Sequence, residues 1–494
     1  MKFISKFFES SNFLFIRFFC ISILNSQFSI LNCFAQPNTW VAVYGGYNYD
    51  RGKGICQTYD KGYIVCGPTS SYGMGNTDFY LLKINSDGKY LWQNTFGGIN
   101  IENAFSVQQT SDSGFVICGY TNSLGSGGYD AYLVKTDSMG NFQWQKSYGG
   151  SDWDFAYWAE QTTDGGYILA GETFSYGNNT QAYLVKIKSN GDTLWTKKFG
   201  GTNADVCYEV HQTTDGGFVL AGYTTVITGD KDFYLIKTDS DGNKEWEKAY
   251  GTSTDDDCNS VALCADGGFL LGGYATIGTE RKNYLMKTND SGNITSSKID
   301  TPLIGNREIF FIRENKEGDY YMVGWTDNTG LGAREIFFAK WNTGFWQLAG
   351  GSLGGQDDDE GYQILQSSDS GYVMVGYTGS FGQGTDNIII FKTDKNMLYN
   401  NTVNTYVSVN EISDEDNSEI MVYPNPSSGK FRISGFRIQD SKIKIYNLMG
   451  STIFESKNIS QNSEINIASS PEGIYLVEII FKEGVARKKI ILSK

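Results

Sequence analysis

Three kinds of side chain here could do chemistry: a column of carboxylates, a set of cysteines and a single histidine. The carboxylates are Asp50, Glu102, Asp154, Asp205, Asp256 and Asp359, each ten residues ahead of a turn acid at Asp60, Asp112, Asp164, Asp215, Asp266 or Asp369. Arg307 holds the corresponding place before Glu317, and Asp255, Asp257, Asp357, Asp358 and Glu360 thicken the column at two points. Such acids around one opening could hold Ca²⁺ through oxygen ligands or bind a cationic ligand. They could also supply the two carboxylates of a polysaccharide hydrolase. The plainer alternative is that each acid caps backbone N–H groups of its own repeat.

His211 is the only histidine, so Ser/His, Cys/His and His-based metal centres have no partner set to draw on. It is expected to be an ordinary strand residue. Cys56, Cys66, Cys118, Cys207, Cys258 and Cys264 include no Cys-x-x-Cys pair. Most are expected to be buried small side chains, with disulfides in an exported protein as the alternative. Asp239-Ser240-Asp241-Gly242-Asn243 has the composition of a hairpin turn rather than of a calcium loop. Trp153 and Trp158 could meet sugars, but their place in the repeats reads as core. No catalytic residue and no resident cofactor is assigned, Ca²⁺ at the acid column being the one candidate.

The elements that would position these residues are repeats. The turn acid, followed by an apolar run and a glycine, returns every 51 or 52 residues from Asp60 to Asp369, giving seven units between Trp40 and about residue 400. A period so constant means a ring or a solenoid. With 59 Gly, 6 Pro and 15% aromatic residues the class is all-β. In the third unit four strands are expected near 156–162, 167–173, 182–186 and 193–199. The middle two are continuously apolar, as in a sheet covered on both faces. A net charge of −15 argues against nucleic acid as a partner.

Trp92, Trp144, Trp195 and Trp246 stand nine residues after a strand-three lysine in units one to four; unit five has Ser296, unit six reaches Trp346 and unit seven has Asn401. The seventh unit thus lacks a fourth strand. Trp40-Val41-Ala42-Val43-Tyr44-Gly45-Gly46 matches Trp144-Gln145-Lys146-Ser147-Tyr148-Gly149-Gly150 and fits that gap. A terminal strand that completes the last repeat is how a β-propeller leaves no open edge. The turn-Gly-x-x-x-Trp pattern, as in Asp137 to Trp144, resembles the tryptophan-docking motif of quinoprotein-like propellers, which implies fold rather than activity.

Residues 401–419 read as an acidic linker. Residues 420–494 resemble the type A C-terminal sorting domain of type IX secretion substrates. The landmarks are Pro424, Asn425, Pro426 and Gly429, then Tyr446, Asn447 and Gly450, then Gly473 and Tyr475, and a basic last strand ending at Lys494. Residues 1–35 read as an export signal, with a membrane anchor as the alternative. The fold expected is therefore a seven-bladed β-propeller of four-stranded blades over 39–400, followed by a small antiparallel β-sandwich sorting domain. The resemblance implies the type IX machinery as a partner and a place outside the cell, with no membrane span in the mature protein. The function expected is non-enzymatic binding of an extracellular glycan or protein, with a carboxylate-based polysaccharide hydrolase as the alternative.

Overall fold

The computed structural model describes residues 39–492, apart from 74, 178, 227–228, 302–304, 328–332, 400–402, 406–420, 425–426, 435–440, 448–451, 460–462 and 481–484. The expected export signal and most of the expected linker lie outside the described residues. Every regular element among the described residues is a strand. In the third repeat Asp154–Gln161, Tyr167–Thr173, Gln181–Ile187 and Thr193–Phe199 make one four-stranded antiparallel sheet in chain order. The two middle strands are buried almost throughout, and the fourth alternates between exposed and covered positions. That gradient fits a blade whose first strand is innermost.

Seven such sheets recur, and six are built from consecutive strands. The seventh is completed from the far end of the chain: Trp40–Tyr44 runs antiparallel to Asn387–Thr393, with Val41 opposite Phe391. Its outer edge is then paired in parallel with Val403–Thr405, which were expected to belong to the linker. A bare edge offers unpaired N–H and C=O groups, and the chain leaving the seventh sheet passes within reach of them. Apolar clusters join neighbouring sheets. One of these clusters sets Trp40, Tyr44, Val373 and Ile390 of the last sheet against Ile55, Tyr63 and Tyr80 of the first.

The joint between blades has a repeated design. Trp92, Trp144, Trp195 and Trp246 each lie over the glycine of the next repeat's hairpin turn, Gly140, Gly191, Gly242 and Gly292, where a Cβ would collide with the indole. Trp40 covers Gly88 of the first repeat in the same way. These glycines also have φ between +72° and +87°, so a side chain would be strained as well as obstructed. Repeats five and six have no docking tryptophan. Ser296 faces Lys287 in the register, and Ala349, not Trp346, faces Lys340. The turns that would receive them carry Phe345 and Met397, both at positive φ and both buried in the space an indole would have filled. Trp346 is in the turn, 70% exposed.

A second repeated contact ties strand three to the turn acid. The buried ammonium groups of Lys83, Lys135, Lys186, Lys237 and Lys287 lie 3.0, 2.9, 2.8, 2.9 and 2.6 Å from Asp60, Asp112, Asp164, Asp215 and Asp266. Lys392 does the same with Asp369. In the sixth repeat Lys340 reaches Asp319 at 3.2 Å instead of Glu317, because Asn315 already caps that turn through the N–H groups of Glu317 and Asp319. The six cysteines among the described residues carry free thiols, and five of them are buried.

At the C-terminal end, Met421–Tyr423, Lys430–Ser434 and Glu464–Asn466 form one sheet, and Thr452–Ile459, Ser441–Asn447, Gly473–Ile480 and Val485–Leu492 form another. Phe431, Ile433, Ile443, Ile445, Tyr475, Val477 and Ile490 fill the core they share. Tyr446 donates to Glu478 at 3.1 Å and Tyr475 to the Pro471 carbonyl at 2.7 Å. Asn447 pairs with Tyr475 across the second sheet. Gly429, at φ +106°, abuts the Ala468 backbone, and Gly473 has φ +151°. Pro424 follows Tyr423 at the end of the first strand, whereas Asn425, Pro426, Gly450 and Lys494 lie outside the described residues.

Trp40 is 5% exposed whereas Trp195 is half-buried. Trp40→Ala is therefore expected to cost about 3–5 kcal/mol in urea unfolding, with Trp195→Ala costing clearly less. A loss below about 1 kcal/mol for Trp40→Ala would mean that docking contributes nothing. Deleting residues 39–46 should bare the edge of Asn387–Thr393 and show as aggregation or a much lower Tm.

Candidate functional site

Five of the six column acids open the innermost strand of their repeats, Asp50 lies ahead of its strand in a bridge to Thr69, and all six are 0–1% exposed. Asp50 accepts from the Thr69 hydroxyl, from Ser71 Oγ at 2.6 Å and from the Gly46 N–H at 2.7 Å. Asp154 repeats the arrangement with Thr173, Ser175 at 2.6 Å and Gly150 at 2.8 Å. Glu102 takes Thr121 at 2.6 Å and Gly98 at 2.8 Å. Asp205 takes Thr224 and, at 2.8 Å, Gly201. Asp359 takes Ser380 at 2.8 Å and Gly355 at 2.9 Å, and Asp256 takes the Thr252 N–H. Each acid thus caps the turn that leads into its own strand. The expectation of a ring facing one mouth is corrected by this geometry: the carboxylates turn into their blades, where backbone N–H groups and hydroxyls await them. Among the described residues no three acid, cysteine or histidine side chains converge to hold a metal ion.

What does cluster at the innermost strands is a different column. Each of those strands from the second to the seventh repeat carries a β-bulge that throws one residue out of the ladder. The bulged residues are Phe105, Tyr157, Tyr208, Asn259, Phe310 and Tyr362, and Lys53 has the matching place in the first repeat. Phe105 meets Tyr157 at 5.2 Å between centroids, Tyr157 meets Tyr208 at 5.3 Å, and Phe310 stacks on Tyr362 at 5.1 Å. Lys53 Nζ lies 3.2 Å from the Tyr362 ring centroid. Burial, followed by the charge of Arg51, lowers the Lys53 amine to about 7. These residues stand seven before the turn acid, a column visible in the sequence but unremarkable there because its types vary.

One layer further along the same strands lies an ionic cluster around the single histidine. His211, on Asp205–Gln212, has Nδ1 2.9 Å from Glu160 and Nε2 3.2 Å from Glu209. Arg313 reaches Glu209 from two repeats away and lies 5.7 Å from the Trp158 ring centroid. Ser260 Oγ donates to Glu209 at 2.8 Å. Burial alone would push the His211 ring down, but Glu160 and Glu209 outweigh it and raise it to about 9. Burial pushes Glu209 up, and Arg313 and His211 overcome that to bring it to about 2. A protonated imidazole held by two carboxylates has no lone pair for a general base, so the cluster is an ionic cross-brace. The expectation of an ordinary strand residue missed it, since Glu160 and Arg313 are neighbours only in the folded chain. Trp158 packs against His211 at 5.6 Å and Phe311 at 6.0 Å, joining this cluster as well as the core between blades.

The last feature is at the start of the innermost strands. In repeats five to seven, buried acids next in sequence to the column are paired with cations from the preceding blade: Asp257 with Lys231 at 3.0 Å, Glu308 with Arg281 at 2.7 Å, and Glu360 with Arg334. Each cation also lies over a ring, Tyr223, Tyr274 or Trp325. The third repeat has Phe155 at that place, and an aromatic group replaces the ion pairs. Tyr129 lies 5.6 Å from both Trp153 and Phe155, Tyr120 lies 4.9 Å from Phe155, and Phe174 lies 6.2 Å from Trp153. Trp153 is 51% and Phe174 37% exposed. The reading of Trp153 as core is thus overturned: its ring stands outside the sheets, over Gly128, where any side chain would displace it.

Comparison with known proteins adds the following. The family model described as a secretion system C-terminal sorting domain matches residues 421–493. These residues are a type IX sorting domain. The domain implies export to the cell surface or the extracellular space. A β-propeller domain of unknown function, DUF5122, matches residues 162–193, the turn and middle strands of the third repeat. An endo-acting ulvan lyase of Formosa agariphila is 30% identical over 93 residues, which is 18% of this chain and 18% of that protein. Among solved structures, the Pan2 WD40 domain of Neurospora crassa aligns with a TM-score of 0.43 at 11% identity, covering 69% of this chain and 88% of its own. PorZ, a surface component of the type-IX secretion system of Porphyromonas gingivalis, aligns with a TM-score of 0.26 at 12% identity, covering 92% and 70%. Among the described residues no helix is long and apolar enough to cross a membrane.

The ionic cluster makes a pH-dependent contribution to stability. With the folded His211 ring raised to about 9, its contribution is full below the ordinary histidine range and is lost as pH rises through about 9. His211→Gln should lower stability at neutral pH and flatten the fall in unfolding free energy toward pH 9.5, measured by urea titration. A fall of unchanged steepness in the variant would assign it to other groups.

Proposed function

We propose that this protein is type IX cargo whose seven repeats form a closed seven-bladed propeller that binds carbohydrate outside the cell through the aromatic group at Trp153. The observation that carries the reading is an indole and a phenyl ring exposed side by side while Tyr129 and Phe155 hold them from beneath. Sugar rings present apolar C–H faces that lie well on such surfaces, and rigid aromatic side chains lose little entropy on binding. At the same strand position in repeats five to seven, ion pairs supply polar groups for sugar hydroxyls. The relative named as an ulvan lyase is in keeping with a glycan partner. The hydrolase alternative has less support, because two carboxylates flanking a scissile bond must face open space and the column acids are buried and capped.

A glycan array probed with the purified chain, followed by calorimetry on the best hit, tests the reading. Trp153→Ala should weaken binding at least roughly tenfold, the scale of one lost aromatic contact, while leaving Tm almost unchanged because the ring is half exposed. Equal binding by both proteins would move the site elsewhere. Removing residues 421–494 should keep the protein out of the culture medium, and release at the level of the whole chain would separate export from the sorting domain.

A further inference from the structure

We infer that the joint between the fourth and fifth blades is a Ca²⁺ site built from Asp232 and Asp256. The repeat pattern shows what is missing there. Asp50, Glu102, Asp154 and Asp205 each receive a threonine hydroxyl from the paired strand, and Asp50, Asp154 and Asp359 a serine hydroxyl as well. Opposite Asp256 the register places Ala275, and Ile277 follows two residues on. The fifth repeat has therefore lost both strand hydroxyls and kept the acid, with Thr252 as its remaining donor.

The consequence is an orphaned oxygen. Asp256 is fully buried, and its Oδ1 has no hydrogen-bond partner. Asp232, from strand three of the preceding blade, comes to the same spot with its own Oδ1 buried and unpartnered. The two close on one residue: a side chain at Gly251 would run into Asp232 Oδ1 and stand 2.9 Å from Asp256 Oδ2. Lys231, next in sequence to Asp232, does not help, since its Nζ is spent on Asp257 at 3.0 Å. Burial, with Asp232 and Asp230 adding to it, pushes the Asp256 carboxyl up to about 6. At neutral pH the joint thus holds like charges in a dry place. Glu335 and Asp359 make a similar pair two joints on, with Glu335 Oε1 and Asp359 Oδ1 also unpartnered, but there Ser380 still donates to Asp359 Oδ2 at 2.8 Å.

A hard divalent cation meets every demand of this spot. It takes oxygen ligands, it balances two carboxylates, and it accepts backbone carbonyls or water for the rest of its shell. Bound only by the folded protein, it would stabilise the joint by mass action.

The test is calorimetry of the purified whole chain at pH 7.5 in CaCl₂ and in EDTA. Ca²⁺ should raise Tm by several degrees and bind with one-site stoichiometry, and Asp256→Asn and Asp232→Asn should each remove the rise. Ala275→Thr restores the hydroxyl of the other repeats, so it should raise Tm in EDTA and shrink the effect of Ca²⁺. A Tm that ignores Ca²⁺, or a rise that persists in both Asn variants, overturns the proposal. A carboxyl raised to about 6 stabilises the fold below the usual carboxylate range and ceases to as pH climbs through 6. A Tm that falls across that window in the same way with and without Ca²⁺ therefore overturns the proposal in favour of a shared proton.

Discussion

The fold depends on one contact made five times, an indole laid over a glycine of the next repeat's turn. No blade can bury both faces of its middle strands by itself, so each needs its neighbours. The indole extends the buried surface beyond the sheet and grips the following turn. The contact demands glycine at Gly88, Gly140, Gly191, Gly242 and Gly292, and repeats six and seven demonstrate the reason by exception. Where Ser296 and Ala349 replace the indole, Phe345 and Met397 replace the glycine and fill the same space from the other side. Volume at the joint is kept while the residue that supplies it changes, which is what close packing requires. Trp40 makes the same contact from the other end of the chain, so the strand that completes the seventh sheet also grips the first.

Charge is handled by the same economy. Six strand-three lysines and six column acids are buried in a protein of strongly negative charge, and unpaired burial of even one would be costly. Each lysine finds the turn acid of its own repeat, and nearly every column acid finds a backbone N–H and a hydroxyl. Both partners are supplied within one repeat, so duplicating the repeat duplicates the solution. Acids that recur at constant spacing were for this reason fold elements and not a catalytic set. His211, Glu160, Glu209 and Arg313 differ, because their partners come from three repeats and could not be copied with any single one.

Features that set one blade apart are therefore where particular chemistry is to be sought. Phe155 and Trp153 bring aromatic rings to the surface at the strand position that carries ion pairs in repeats five to seven. Ala275 and Ile277 break the hydroxyl pattern in the fifth and leave a carboxylate without its donors. The sorting domain has its own core, so the seven sheets can vary without touching the part that implies export.

Much of the fold was legible in the amino-acid order alone. Period, turn residues and apolar runs are local properties, and they determined the number of repeats, the strands within them and the gap that Trp40–Tyr44 fills. The sorting domain was legible for the same reason, since its landmarks lie along one short stretch. Side-chain direction was not. A carboxylate at the head of a strand faces a channel or its own turn according to a rotation that spacing does not record, and only packing decided that Asp50 and its counterparts turn inward. The exposure of Trp153, the bulges that bring Phe105, Tyr157 and Tyr208 together, and the meeting of Arg313 with Glu209 all depend on which strands the fold makes adjacent. Those are distances between residues far apart in the chain, and tertiary structure alone sets them.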